Sequence, residues 1–145
     1  MPDESTCKAL VLAHIERINA GDVEGLLALY SPAVRFEDPV GAGVRVGHGA
    51  LRAHIAAAIA GGIRETPGVP VAAPDGRHAA LPGSATVDYL PNGPLLARTG
   101  LIPVPADPES ARLSFSYVLV IEVGARGLIE EMRVYWGQSD VRFTA

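Results

Sequence analysis

Val34-Arg35-Phe36-Glu37-Asp38-Pro39 is the stretch from which the fold is read. Side chains alternate along an extended chain, so Val34, Phe36 and Asp38 share one face while Arg35 and Glu37 share the other. An apolar strand face that ends in a carboxylate before a proline has two readings. One is a solvated, inert turn opener. The other is an acid held in an apolar pocket, where it can move protons. Met132-Arg133-Val134-Tyr135-Trp136, near the far end, is a second strand whose aromatic end suits a pocket wall.

Upstream of this strand, residues 5–19 have the spacing of a helix. Cys7, Val11, Ile15 and Ile18 form one stripe, Ser5 or Asp3 can cap it, and Asn19-Ala20-Gly21 ends it. His14 lies three residues after Val11 and four before Ile18, so it belongs to the buried stripe. It is either a structural histidine bonded to a backbone carbonyl or a site group. Asp22 is an N-cap for a second helix over 23–31, with Tyr30 on its apolar face and Ser31-Pro32 closing it. The strand itself is expected over 33–38. The glycines of 40–49 lack the spacing of a dinucleotide or phosphate loop. A third helix over 48–60 aligns Leu51, His54, Ile55, Ala58 and Ile59, and Gly61-Gly62 stops it.

Downstream the pattern turns to strands. Residues 69–73 and 79–81 flank the turn Pro74-Asp75-Gly76, and 85–90 follow. Four prolines between 94 and 110 suggest a long hairpin connection with partial strand character. Residues 113–123 form the longest strand, paired with 128–136 across Gly124-Ala125-Arg126-Gly127. Three helices with one strand among them, then a run of strands, predict an α+β fold. A strongly curved, cone-shaped antiparallel sheet wraps around the N-terminal helices and leaves a cavity between them. On the longest strand both faces are largely apolar. Ser114, Ser116, Val118 and Val120 are read as facing the helices. Phe115, Tyr117, Leu119 and Ile121 are read as the outer face, through which a homodimer is expected.

The 145 residues fit one domain, 1–145, with 48% hydrophobic and 19% charged residues, which excludes a disordered chain. The net charge of -4 and the lack of a basic stripe argue against nucleic acid. One cysteine, Cys7, excludes an internal disulfide and a cysteine metal motif. The four histidines show no metal-ligand spacing, and there is no nucleophile-elbow motif. No apolar run approaches the roughly 18 residues of a membrane span. The acidic start, Met1 to Thr6, lacks the basic lead of a signal peptide, and a reduced cytoplasmic setting is expected. What remains is acid–base chemistry, with Asp38 and His14 as the best-placed ionisable groups.

The run from His14 to Glu24, then Leu29-Tyr30, then Glu37-Asp38-Pro39-Val40-Gly41, is similar to the start of ketosteroid isomerases. Gly127-Leu128-Ile129 and Met132 to Trp136 resemble their final hairpin strand. This resemblance implies the cone-shaped fold shared with SnoaL-like cyclases and nuclear transport factor 2. It also implies a cofactor-free enzyme with Asp38 as general base, shifting a proton beside the ketone of a steroid or similar small, apolar, polycyclic ligand. The family's two oxyanion donors fall on His14 and Ser116 here, neither of them the usual residue. Tyr30 falls on a supporting position. Ile18, Phe36, His54, Val118, Met132 and Trp136 are the expected ligand-lining positions. Two alternatives stand beside the isomerase: a SnoaL-like cyclase or dehydratase using a His14–Asp38 dyad, and a binding module without chemistry.

Overall fold

Asp3 opens the first helix by accepting a hydrogen bond from the Thr6 N–H at 2.7 Å. That is the bond an N-cap carboxylate makes to an otherwise unpaired helix donor. Helix α1 (Glu4–Asn19) buries Cys7, Val11, His14, Ile15 and Ile18, the stripe the spacing predicts. Asp22 caps α2 (Val23–Leu27) in the same way. This helix is shorter than the expected 23–31. Ser31 precedes a proline, which pushes it out of the helical region, and Tyr30 passes instead into strand β1 (Tyr30–Glu37).

The chain continues through β2 (Arg45–Val46), α3 (His48–Ala60), β3 (Arg64–Pro67), β4 (Val71–Ala72) and β5 (His78–Asp88). Then come α4 (Gly93–Arg98), β6 (Arg112–Val123), β7 (Ile129–Tyr135), a 3₁₀ turn at Gln138–Asp140, and β8 (Val141–Thr144). The computed structural model describes residues 2–144; Met1 and Ala145 lie outside the described residues. The expected strands 79–81 and 85–90 are one strand, β5. The connection 94–110 holds the short helix α4 and no strand; Ile102 from it packs with Tyr89 and Leu113 in a small second core. Strands β2, β3 and β8 were not foreseen. No helix among the described residues is long and apolar enough to cross a membrane.

The fold is α+β, with the N-terminal helices against a curved, unclosed sheet ordered β2-β1-β7-β6-β5-β3. β4 pairs with β5, and β8 with β6. The sheet is mixed, not wholly antiparallel: β1 and β7 run parallel, with Phe36 opposite Met132 and Glu37 opposite Arg133. No hairpin joins these two strands, so nothing in the connection forces them to oppose. The parallel pairing has a consequence for the site. Both strands point the same way, so Asp38 and Trp136, each just past a strand end, emerge side by side.

The two faces of β6 are the reverse of the expected ones. Tyr117, Leu119 and Ile121 are buried at 5%, 1% and 0% exposure, inside the main core with α1. Ser116 and Val118 lie on the solvent side. The bulkier apolar row removes more surface from water, so it takes the core side. The proposed dimer face therefore cannot be formed by Tyr117, Leu119 and Ile121.

Paired substitutions test this assignment. Leu119→Ala should destabilise the fold by about 2–5 kcal/mol, as large core truncations do. Val118→Ala, one residue away on the other face, should stay within about 0.5 kcal/mol of wild type in urea unfolding.

Candidate active site

Val34 and Phe36 are buried at 0% and 2% exposure, and the alternation carries Asp38 inward at the end of the same face. The Asp38 side chain is 22% exposed and fully engaged. Trp136 Nε1–H donates to Oδ1 at 2.8 Å. His54 Nε2–H donates to Oδ2, also at 2.8 Å. α3 presents His54 and Ile55 to the sheet, and the His54 ring stacks obliquely on Phe36 with centroids 5.6 Å apart. Burial alone would push the Asp38 carboxyl up. The hydrogen bond and positive potential of His54, the Trp136 bond and the potential of His14 outweigh it, and Asp38 lies below its ordinary 3.8. It is an ionised acceptor at neutral pH.

Asp38 opens on a cavity of about 50 Å3 between α1, α3 and the sheet. That is room for roughly three to five water-sized groups, at ~10–15 Å3 each. Ile18, Ile55, Ala58, Ile63, Phe115, Leu119, Met132 and Val134 supply its apolar lining; His14, His54, Glu65 and Tyr117 join Asp38 as its polar groups. Glu65 is the second carboxyl. Asn19 holds its peptide from both sides, with Glu65 N–H donating to Asn19 Oδ1 and Asn19 Nδ2 donating to the Glu65 carbonyl, each at 2.8 Å. Burial raises Glu65 from 4.5 to about 7; the Asp38 charge adds to this, while Tyr117 and His54 oppose it. Tyr117 is held well above its ordinary range, first by burial and then by Glu65. Its ring stands over Gly83, where a Cβ would come within 2.7 Å of the hydroxyl. Among the described residues, Glu65 Oε2 and Tyr117 Oη are the buried side-chain oxygens without a hydrogen bond of good geometry, although Tyr117 lies near enough to Glu65 to lower its pKa. Native interiors rarely leave such groups unpaired, and both line this one cavity.

Of the site residues expected from sequence, His14, Ile18, Asp38, His54 and Met132 line the cavity. Tyr30 stands behind His14, its hydroxyl 2.6 Å from Nδ1. Phe36 supports His54, and Trp136 binds Asp38 directly. Ser116 and Val118 are on the outer face and reach none of these groups. The carboxylate's bonded histidine is His54 on α3, where His14 was expected. Glu65 and Tyr117 were missed. The signal for Glu65 was present: Ile63 and Glu65 are two apart, the same apolar-then-acidic alternation that identified Asp38. The glycine-rich run 41–43 is a structural loop whose Gly41 and Gly43 N–H groups both donate to Glu37 Oε2.

A family model described as SnoaL-like domain matches residues 11–132. Epoxide hydrolase LasB of Streptomyces lasalocidi is 58% identical over 142 residues, which cover 97% of this chain and 50% of that protein. The chain thus spans about half the length of the curated relative it matches. Among solved structures, SalBIII is described as an epoxide hydrolase/cyclase-like enzyme with a role in pyran ring formation in the polyether salinomycin. It superposes with a TM-score of 0.81 at 28% identity, over 97% of this chain and 98% of its own. RV0760c from Mycobacterium tuberculosis (TM-score 0.74, 21% identity, 99% and 100% coverage) shares the fold. So does a computationally designed 17-OHP binder (0.75, 19%, 98% and 98%).

Two measurements follow from the two carboxyls. Trp136→Phe removes one bond that favours ionised Asp38, so the Asp38 titration followed by carboxyl carbon NMR should move upward. Glu65 has the opposite sign. Its raised value means the folded state holds a proton that the unfolded chain releases. Stability is fully present below pH 4.5 and is lost as pH rises through about 7, by on the order of 3 kcal/mol. Glu65→Gln should remove that slope from urea unfolding measured between pH 4.5 and 8.

Proposed function

This chain belongs to the SnoaL-like domain family, and we propose that within it the chain is an enzyme that opens epoxides by paired acid–base catalysis. The observation that carries the reading is the pair of carboxyls in one cavity with opposite protonation. Asp38 is ionised, and Glu65 keeps its proton up to about pH 7. Two carboxyls whose surroundings push them apart mark the base and the acid. The relatives named epoxide hydrolase and epoxide hydrolase/cyclase-like enzyme support the substrate class.

The chemistry balances without a cofactor. Asp38 accepts the proton of a hydroxyl, either a substrate alcohol or water. That oxygen bonds to an epoxide carbon as the C–O bond of the ring breaks. Glu65 gives its proton to the departing oxygen, and the Tyr117 hydroxyl, which lines the same cavity, donates a hydrogen bond to the same atom. An internal alcohol closes a cyclic ether; water gives a diol. Solvent exchange then returns the proton from Asp38 to Glu65. The apolar lining suits an epoxide carried on a hydrocarbon skeleton.

The steroid-isomerase reading comes second. An ionised Asp38 at the head of an apolar cavity favours it, while Ser116, the place of its second donor, is on the outer face. Retention of an apolar ligand without turnover is the non-catalytic alternative. A homodimer through the outer sheet face would rest on other residues, the cross-strand row Pro82, Val118 and Tyr135.

The test is a hydroxy-epoxide assayed for cyclic ether and diol by mass spectrometry, beside a Δ5-3-ketosteroid followed by ultraviolet absorbance. Asp38→Asn and Glu65→Gln should each lose on the order of 10²–10⁴-fold in rate, and wild-type kcat/KM should fall above about pH 7 as Glu65 ionises. Wild-type turnover of the steroid alone, or epoxide turnover untouched by Asp38→Asn, would reject the assignment.

A further inference from the structure

Tyr30 and His14 form a buried pair that the reaction above leaves unused. Their exposures are 1% and 4%, and the hydroxyl lies 2.6 Å from His14 Nδ1. A neutral imidazole carries one N–H, and what one nitrogen meets decides which nitrogen holds it. Were Nδ1 the donor, the Tyr30 O–H would need another acceptor. Among the described residues His14 is its side-chain partner, so the hydroxyl would be left buried and unpaired, a costly state. With Tyr30 donating to Nδ1, nothing is left over. Burial lowers His14 to about 4 against the opposing charge of Asp38, so a ring protonated on both nitrogens does not compete. The proton is then on Nε2, on the far side of a ring that lines the cavity. The Tyr30 end of the pair is itself held, because His48 Nε2 lies 2.9 Å from the Tyr30 carbonyl.

We propose that His14, locked by Tyr30 as the Nε2–H tautomer, is a catalytic hydrogen-bond donor that holds the attacking oxygen against Asp38. This rests on the epoxide-opening reading for its substrate. His14 and Asp38 line the same cavity. A hydroxyl oxygen has one proton and two lone pairs. The proton goes to Asp38, one lone pair accepts from His14, and the second faces the epoxide carbon. Such a cradle takes an alcohol or water as nucleophile. It rejects a carboxylate, which has no proton for Asp38 and is repelled by it. Tyr30 is the positioning residue.

Nitrogen NMR of ¹⁵N-histidine protein reads the tautomer without turnover, with the His14 signals identified by their loss in His14→Gln. Wild type should show a protonated Nε2 and bare Nδ1, and Tyr30→Phe should convert the ring to a mixture. Ethane-1,2-diol, the smallest product of the proposed class and of a size the cavity holds, should shift the His14 Nε2 signal. On the hydroxy-epoxide, His14→Phe should lose on the order of 10²-fold in kcat/KM, and His14→Gln, whose amide can donate, should recover much of it. An Nδ1–H tautomer in wild type, a His14 signal indifferent to the diol, or His14→Gln no better than His14→Phe would each overturn the proposal. A locked, diol-responsive His14 in a protein that turns over no epoxide would support the donor and reject the reaction.

Discussion

The parallel pairing of β1 with β7 is the constraint on which the site depends. Among the described residues it is the one parallel pairing of the sheet, and it aligns the ends of two strands that lie 98 residues apart at Asp38 and Trp136. An antiparallel neighbour would have sent the Trp136 end of β7 to the opposite edge. The carboxylate would then lose the indole donor and keep only His54, and burial would count more heavily against its charge. Val40 N–H, which donates to the Val134 carbonyl at 2.9 Å, continues the pairing past the strand and fixes the turn after Asp38.

A cavity of this kind separates two carboxyls by their partners and not by their burial, which both share. Asp38 has two N–H donors, one per oxygen, and is ionised. Glu65 has its peptide clamped by Asn19 and no donor on Oε2, and it keeps its proton. Each charge state supports the other: the Asp38 charge raises Glu65, and a neutral Glu65 spares Asp38 a second negative neighbour. The weaker base is offset by an acid that is still protonated near neutral pH, an arrangement suited to a leaving oxygen that needs a transferred proton.

Alternation was enough to find Asp38, because one apolar face ended in an acid and both halves of the signal lay within six residues. The same rule over Ile63 and Glu65 would have found the second acid. It was obscured because β3 is four residues long, with its other positions all exposed, so no face stood out. The helical stripe of α1 was legible down to His14, since the three- and four-residue spacing that defines it is local. The histidine that binds Asp38 was not, because choosing between His14 and His54 requires knowing how α3 crosses the sheet. β6 failed for a different reason. Both of its faces carry apolar residues at the same period, so periodicity could not rank them; only side-chain volume could, and Tyr117, Leu119 and Ile121 exceed Ser116 and Val118.

The same frame can serve different reactions by moving one acid. In the isomerases that the sequence resembles, the second acid sits where Ser116 falls, and its apolar setting holds it protonated far above neutrality. Such a group donates a hydrogen bond to a forming enolate but does not easily release its proton, and a ketone needs no more. An epoxide oxygen departs as an alkoxide and needs the proton itself. Here the position on β6 is empty of acid and faces solvent, while Glu65 on β3 titrates near 7. A proton held at that affinity can be given away at neutral pH and regained from solvent. The base is common to both schemes, so Asp38 alone does not distinguish them; the proposed epoxide opening rests on the proton affinity of its counterpart.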